Sequence, residues 1–283
     1  MIVTRFAPSP TGYLHLGHAF AALTARDIAQ RNAGRFLLRI EDIDKGRCRP
    51  EFEQAIYDDL TWLGVRWLEP VLRQSERFGA YRAALEQLRS RALLYPCFCT
   101  RAEIAAEIGR AAEAPHGPEG PIYPGTCRTL EPSERTLRIQ TGAPYALRLD
   151  VHKAAALTGP LTFEEQGCGP RGELGLIAVE PLLFGDVVLA RKDTPTSYHL
   201  AVVVDDAFQG VTLVTRGNDL FSATHVQRLL QALLQLTAPA YAHHRLILDE
   251  SGKKFSKRDQ AVTLRSLRDS GVRLEDIRQR VGV

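Results

Sequence analysis

Apolar positions along the first 95 residues fall in an alternating order of strand-like and helix-like runs. Residues 1–6 are a short apolar strand candidate closed by Ala7-Pro8-Ser9-Pro10-Thr11-Gly12, whose prolines and glycine form a rigid turn. Residues 14–29 then carry Leu16, Ala19, Phe20 and Leu23 at helical spacing. Residues 36–40 read as a second buried strand. Residues 52–63 and 77–94 read as helices, the latter with Tyr81, Leu85, Leu88 and Leu93 as its apolar stripe. Strand, turn, helix, strand, helix predicts an α/β fold with a parallel sheet and crossover helices.

The pattern then changes. Residues 109–126 hold four glycines and four prolines, a loop composition. Between 138 and 189 the apolar runs are short (145–149 and 187–189) and separated by Gly-rich turns, as expected of an inserted α+β module outside the first sheet. Alternation resumes at 199–204, at 211–215 and with a helix at 223–236. A strand is expected at 246–248, before a Gly252-Lys253-Lys254 loop and a short helical tail. These changes divide the chain into 1–95, 96–190, 191–250 and 251–283.

Composition narrows the class. The 283 residues can bury a sizeable core, and 45% hydrophobic with 24% charged residues is ordinary for a soluble globular protein. The net charge of +3 does not demand nucleic acid, but residues 253–283 carry nine Lys/Arg against four acids. Such a basic end suits a phosphate backbone, and equally a solvated helix face. The N-terminus lacks a basic segment followed by an apolar stretch, and no run approaches 18 apolar residues, so neither a secretory signal nor a membrane span is expected. Five cysteines, three of them (Cys97, Cys99, Cys127) close together, favour metal ligation in a reducing, cytoplasmic compartment over disulfides.

Two constellations carry chemistry. Pro8-Ser9-Pro10-Thr11-Gly12-Tyr13-Leu14-His15-Leu16-Gly17-His18 lies between a strand and a helix, where unpaired N–H groups and the helix dipole favour an anion. His15 and His18 share one face of the first turn, and Gly17 permits close approach of a purine or phosphate. Far downstream, Ser251-Gly252-Lys253-Lys254-Phe255-Ser256-Lys257-Arg258 is a basic loop able to neutralise a departing pyrophosphate.

His15-Leu16-Gly17-His18 resembles the HIGH signature, and Lys254-Phe255-Ser256-Lys257-Arg258 the KMSKS loop, of class I aminoacyl-tRNA synthetases. Arg5 to Gly12, Arg39-Ile40-Glu41-Asp42-Ile43-Asp44 and Val203-Val204-Asp205-Asp206 are similar to the glutamyl branch. Leu16, Phe255 and Arg258 depart from those signatures without changing their character. The resemblance implies a Rossmann-like catalytic domain with an inserted zinc-bearing α+β acceptor-type subdomain. It also implies ATP with Mg2+ at Pro8, Thr11, Gly12, His15, Gly17, His18, Lys254, Ser256 and Lys257. In that scheme His15 and His18 stabilise the α-phosphate under attack by the amino-acid carboxylate, and Lys257 holds the pyrophosphate. Glutamate, with two carboxylates and an ammonium, needs arginines and one acid; the resemblance places it at Arg5, Ala7, Ser9, Glu41, Tyr198 and Arg216.

Cys97, Cys99 and Cys127 can occupy three corners of a tetrahedral zinc site. Composition alone would choose His116 as the fourth ligand, whereas the resemblance implies Tyr123. Cys48 and Cys168 read as plain residues. Only 25 residues follow Arg258, so no large anticodon-reading helical domain is expected. The chain therefore resembles the short glutamyl paralogues that attach glutamate to the queuosine base in the anticodon of tRNA(Asp). Tyr198-His199-Leu200-Ala201-Val202-Val203 and Arg216-Gly217-Asn218-Asp219-Leu220 are similar to that short branch as well. Implied partners are L-glutamate, ATP and tRNA(Asp) carrying queuosine, with no membrane and a monomeric chain. Two other readings stay open: a compact synthetase charging the 3′ end of tRNA(Glu), and a catalytically idle RNA-binding module.

Overall fold

The computed structural model describes residues 1–110, 116–118, 120–248 and 262–283. The first unit runs β1 (Val3–Phe6), α1 (Leu16–Arg31), β2 (Arg35–Ile40), α2 (Pro50–Trp62), β3 (Leu68–Arg73) and α3 (Phe78–Ser90). Its three strands pair in parallel in the order β1-β2-β3. β3 escaped the apolar pattern because it contains Pro70 and is half exposed, as befits an edge strand. α1 buries Ala19, Ala22, Ala25 and Ala29 alongside Phe20 and Leu23, so small side chains let it lie close on the sheet. α3 is shorter than its apolar stripe suggests. It stops at Ser90, Ala92 adopts φ 52°, and Leu93 is carried off the helix into the buried entry to a strand.

That strand is β4 (Leu94–Cys97). It is followed by α4 (Arg101–Arg110), β5 (His116–Gly117), β6 (Gly120–Pro121), α5 (Pro132–Gln140), β7 (Ala146–Leu149) and α6 (Val151–Thr158). Then come β8 (Thr162–Glu165), β9 (Gly175–Ala178) and β10 (Val188–Ala190). β4, β7 and β10 form a separate antiparallel sheet in the order β10-β7-β4. The self-contained module expected between 138 and 189 is only part of the picture, because β8 and β9 leave that sheet and join the next one.

The second unit is α7 (Tyr198–Phe208), β11 (Leu213–Gly217), α8 (Ala223–Leu233) and β12 (Ala240–His244). Its sheet runs β11-β12-β8-β9, with β11, β12 and β8 parallel. The strand expected at 246–248 is instead Ala240–His244, whose alternation of buried and half-buried positions was disguised by two histidines. The two parallel sheets abut where Thr212 N donates to Val3 O at 3.0 Å. The crossovers leave β1 and β11 in opposite directions, which opens a crevice beyond the carboxyl ends of both strands, the usual ligand position in such folds.

The tail does not lie in solvent. α9 (Leu264–Asp269) and α10 (Leu274–Val281) place Leu264, Ile277 and Val281, all fully buried, in one core cluster with Phe20, Leu23, Ile56, Leu60 and Leu63. Its basic residues face outward, except that Arg268 reaches the buried Asp59 at 2.9 Å. Among the described residues no helix is long and apolar enough to cross a membrane.

Candidate active site

The turn after β1 is held against the end of β2 and the start of α2 by backbone bonds: Glu41 N donates to Pro8 O at 3.0 Å, and Arg49 N to Pro10 O at 3.0 Å. α1 then starts with a reciprocal cap. Gly17 N donates to His15 Nδ1 at 3.1 Å, and His15 N donates to His18 Nδ1 at 3.2 Å. Both Nδ1 atoms act as acceptors, so each neutral ring carries its proton on Nε2. The imidazoles stand 3.8 Å apart between centroids. A Cβ on Gly17 would lie 3.0 Å from His15 Cε1. Glycine at position 17 thus also leaves room for the His15 ring, and it lines the adjoining crevice.

A crevice of about 460 Å³ opens at the junction of β1 and β11. Arg5, Ala7, Pro8, Ser9, His15, Gly17, His18, Glu41, Tyr198 and Arg216 all line it. Thr11 faces a neighbouring, larger cleft of about 1080 Å³ that shares Ser9, Glu41 and Tyr198 with the crevice. Gly12 sits in the turn itself. Lys254, Ser256 and Lys257 lie outside the described residues. Their flanks can be placed: Ile247 lines the crevice, and Thr263 forms a bridge with His15 while Leu264 N donates to Leu14 O at 2.8 Å.

The crevice floor is a buried charge network. Asp206 accepts from Arg5 Nε at 3.0 Å and from Arg39 Nη1 at 2.7 Å, while Arg39 Nη2 donates to Glu41 at 3.1 Å. Two guanidinium groups and two carboxylates close to neutrality, which is what allows burial of four formal charges. Burial pushes the Asp206 carboxyl up, but Arg5 and Arg39 together hold it below the usual carboxylate range. Burial wins at Glu41, which is raised despite Arg39 and Arg5. Arg39 and Asp206 act on the site through these contacts, although neither is among the site residues expected from the sequence. The signal was present in Asp205-Asp206, two acids within an otherwise apolar helix.

On the β11 side Arg216 is 5% exposed. It donates from Nε to His243 Nε2 at 3.0 Å, from Nη1 to Gln227 at 2.8 Å and from Nη2 to Thr224 at 2.7 Å. Tyr198 OH is 3.4 Å from Nη1, so the tyrosine of α7 and the arginine of β11 meet at the crevice wall.

A second cluster lies apart, on the inserted sheet. The ligand atoms of Cys97, Cys99 and Cys127 fall within 4.8 Å of one another, with Cys99 Sγ 3.4 Å from Cys127 Sγ and 3.7 Å from the Tyr123 hydroxyl. Tetrahedral zinc at ~2.3 Å from each sulfur needs sulfur separations of about 3.8 Å, so the donors fit a metal. Phe98 N donates to Cys127 Sγ at 3.3 Å, orienting the thiol. Burial pushes the Cys99 thiol up to about 12. The side chain of His116, the other candidate ligand, lies outside the described residues. Cys168 is exposed, and Cys48 lines the larger cleft.

A helix-terminal imidazole pair and a compact set of buried arginines and acids meet at the switch point of an α/β fold with parallel strands. The chain belongs to the class I tRNA synthetases of the E and Q type, a ligase family whose catalytic-domain model matches residues 1–279. It is 51% identical over 285 residues to a glutamyl-Q tRNA(Asp) synthetase of Rhodobacter capsulatus, with 100% of both chains covered. It is 43% identical to another of that name from Symbiobacterium thermophilum, covering 98% of this chain and 84% of the relative. A glutamate–tRNA ligase of Aquifex aeolicus is 40% identical over 95% of this chain, which spans 54% of that relative. Among solved structures, a glutamate tRNA ligase from Elizabethkingia meningosepticum in complex with its amino acid superposes with TM-score 0.74 at 31% identity. That superposition covers 91% of this chain and 52% of the other.

Proposed function

We propose that this chain activates L-glutamate with ATP to glutamyl-adenylate and transfers the glutamyl group to the queuosine base in the anticodon of tRNA(Asp). The observation that carries the reading is the meeting of Arg5, Glu41, Tyr198 and Arg216 with the paired imidazoles in one crevice. Arg5 and Arg216 would hold the two carboxylates, Glu41 the ammonium, and Ala7 and Ser9 the near wall. Two arginines and one acid match the charges of glutamate, and a carboxamide in place of its side-chain carboxylate would leave an arginine unpaired.

ATP would lie along the start of α1, at Pro8, Thr11, Gly12, His15, Gly17 and His18, with Lys254, Ser256 and Lys257 arriving from the basic loop. His15 and His18, their Nδ1 atoms committed to the helix cap, would offer Nε2–H to the α-phosphate as charge grows there. No general base is required, because the attacking carboxylate is already ionised; positioning and charge stabilisation supply the catalysis. Mg2+ would accompany the nucleotide. Cys97, Cys99, Cys127 and Tyr123 would hold one structural zinc that stiffens the inserted sheet. The larger cleft, lined by Arg47, Arg101, Arg148 and Arg191, would receive the RNA.

The test supplies ATP, labelled glutamate and unfractionated tRNA, followed by nuclease digestion. Label on an anticodon nucleoside is expected. Label on the terminal adenosine would instead favour charging of tRNA(Glu), and no labelling together with no ATP–pyrophosphate exchange would favour an RNA-binding module.

A further inference from the structure

Arg216 is backed by a buried chain of groups that starts on β8, a strand that plays no other part in the site. His243 Nδ1 lies 2.6 Å from Glu165 Oε2, and both side chains are fully buried. Glu165 Oε1 also accepts His243 N at 2.8 Å and Gly167 N at 2.9 Å. The turn after β8 is hooked directly onto β12. Cys168 N donates to His243 O at 3.0 Å, and a Cβ on Gly167 would fall 2.3 Å from that same oxygen. Glycine is therefore required for the close approach that delivers Glu165.

The proton positions follow from the donors. A guanidinium only donates, so His243 Nε2 must accept from Arg216 Nε, and the single imidazole proton sits on Nδ1, directed at Glu165. Burial and the neighbouring Arg216 cation favour the neutral ring. A carboxylate, a neutral imidazole and a guanidinium are thus in series, with every proton assigned. Tyr241 lies alongside, its ring 7° from parallel with that of His243 at 6.1 Å between centroids.

We propose that Glu165 and His243 are positioning residues that lock the orientation of Arg216 and so set the preference of the site for a carboxylate-bearing side chain. This rests on the reading of Arg216 as a carboxylate-binding residue. Glu165 supplies the charge, His243 transmits it and fixes the Nε edge, and Gln227 and Thr224 hold the two terminal nitrogens, with Nη1 beside Tyr198 at the crevice wall. A substrate carboxylate then meets a guanidinium already oriented, without the entropy of ordering a free arginine.

The experiment measures ATP–pyrophosphate exchange with unfractionated tRNA present, comparing the full chain with Glu165→Gln. The neutral amide can turn the imidazole over and remove its acceptor from Arg216. The expected result is a KM for glutamate raised about tenfold or more, a KM for ATP within about twofold, and weakened discrimination against glutamine. Equal rises in both KM values, or an unchanged glutamate KM in a folded variant, would overturn the relay. Arg216→Ala separates the two readings: an unchanged glutamate KM in that variant would remove the carboxylate role itself, and the relay with it. Should Glu165→Gln fail to fold, 15N-histidine NMR of the unmodified protein decides. A proton on Nδ1 alone supports the relay, and a protonated Nε2 refutes it.

Discussion

Arg39 Nη1 stands 2.7 Å from Asp206 Oδ1, and this contact ties the middle strand of the first sheet to helix α7 of the second unit. The same carboxylate holds Arg5, so one buried acid serves two cations. Removing it leaves uncompensated guanidinium charge in the interior. Asp206→Asn is expected to cost about 3–5 kcal/mol of stability. A urea titration checks this, and an unshifted midpoint would show that the network is idle.

His15 has two jobs that one substitution can separate. Asparagine is a strong N-cap, so His15→Asn should preserve the start of α1 while deleting Nε2–H. Amino-acid activation should fall about 10²-fold or more with a change in melting temperature of less than a few degrees. A matching loss of stability would mean that the histidine only caps the helix.

Much of the architecture could be read from residues alone, because β1, α1 and β2 combine buried runs with a Pro-Ser-Pro-Thr-Gly stop that leaves little choice. The partners of the site arginines could not. Arg5 and Arg216 were visible as cations at strand ends, but Asp206 reaches Arg5 across 201 residues and Glu165 reaches His243 across 78. Such pairings depend on sheet order, which periodicity does not encode. The apolar stripe at 77–94 overstates α3 because it serves first a helix and then the approach to a strand. The tail's charge is more conspicuous in the sequence than the four apolar side chains it buries, Leu264, Leu267, Ile277 and Val281.

Asp59 gives the fold a pH signature. Its side chain is fully buried, and burial pushes its carboxyl up to about 6 despite the Arg268 contact. The folded state then holds the proton more tightly than the unfolded chain, whose pKa is about 3.8. Stability from this group is gained as pH falls from about 6 toward 4, and is lost as pH rises through 6. Asp59→Asn should therefore stabilise by roughly 1–2 kcal/mol at pH 8, the full shift setting a ceiling of about 3. The advantage should shrink as pH falls below 6 and vanish below about pH 4. Urea midpoints of both proteins at the two pH values test the sign, and a pH-independent difference would rule it out.

For the thiol cluster, Cys99→Ser should lower bound zinc from about one equivalent to less than half under reducing conditions, with a fall in melting temperature. Metal analysis of the purified chains decides. Equal zinc in both would place the metal elsewhere.

The packing of α10 on α1 also sets an order of events during synthesis. Leu264, Leu267, Ile277 and Val281 complete a core whose other buried side chains, Ile247 apart, are finished by Val65, and 199 positions separate Val65 from Leu264. At ~5–20 residues per second the first unit waits on the order of 10–40 s with that face uncovered. The helix that bears His15 and His18 is therefore sealed last, although it is translated almost first. A nascent chain halted before residue 264 would present an apolar surface to chaperones, in place of a finished nucleotide-binding half.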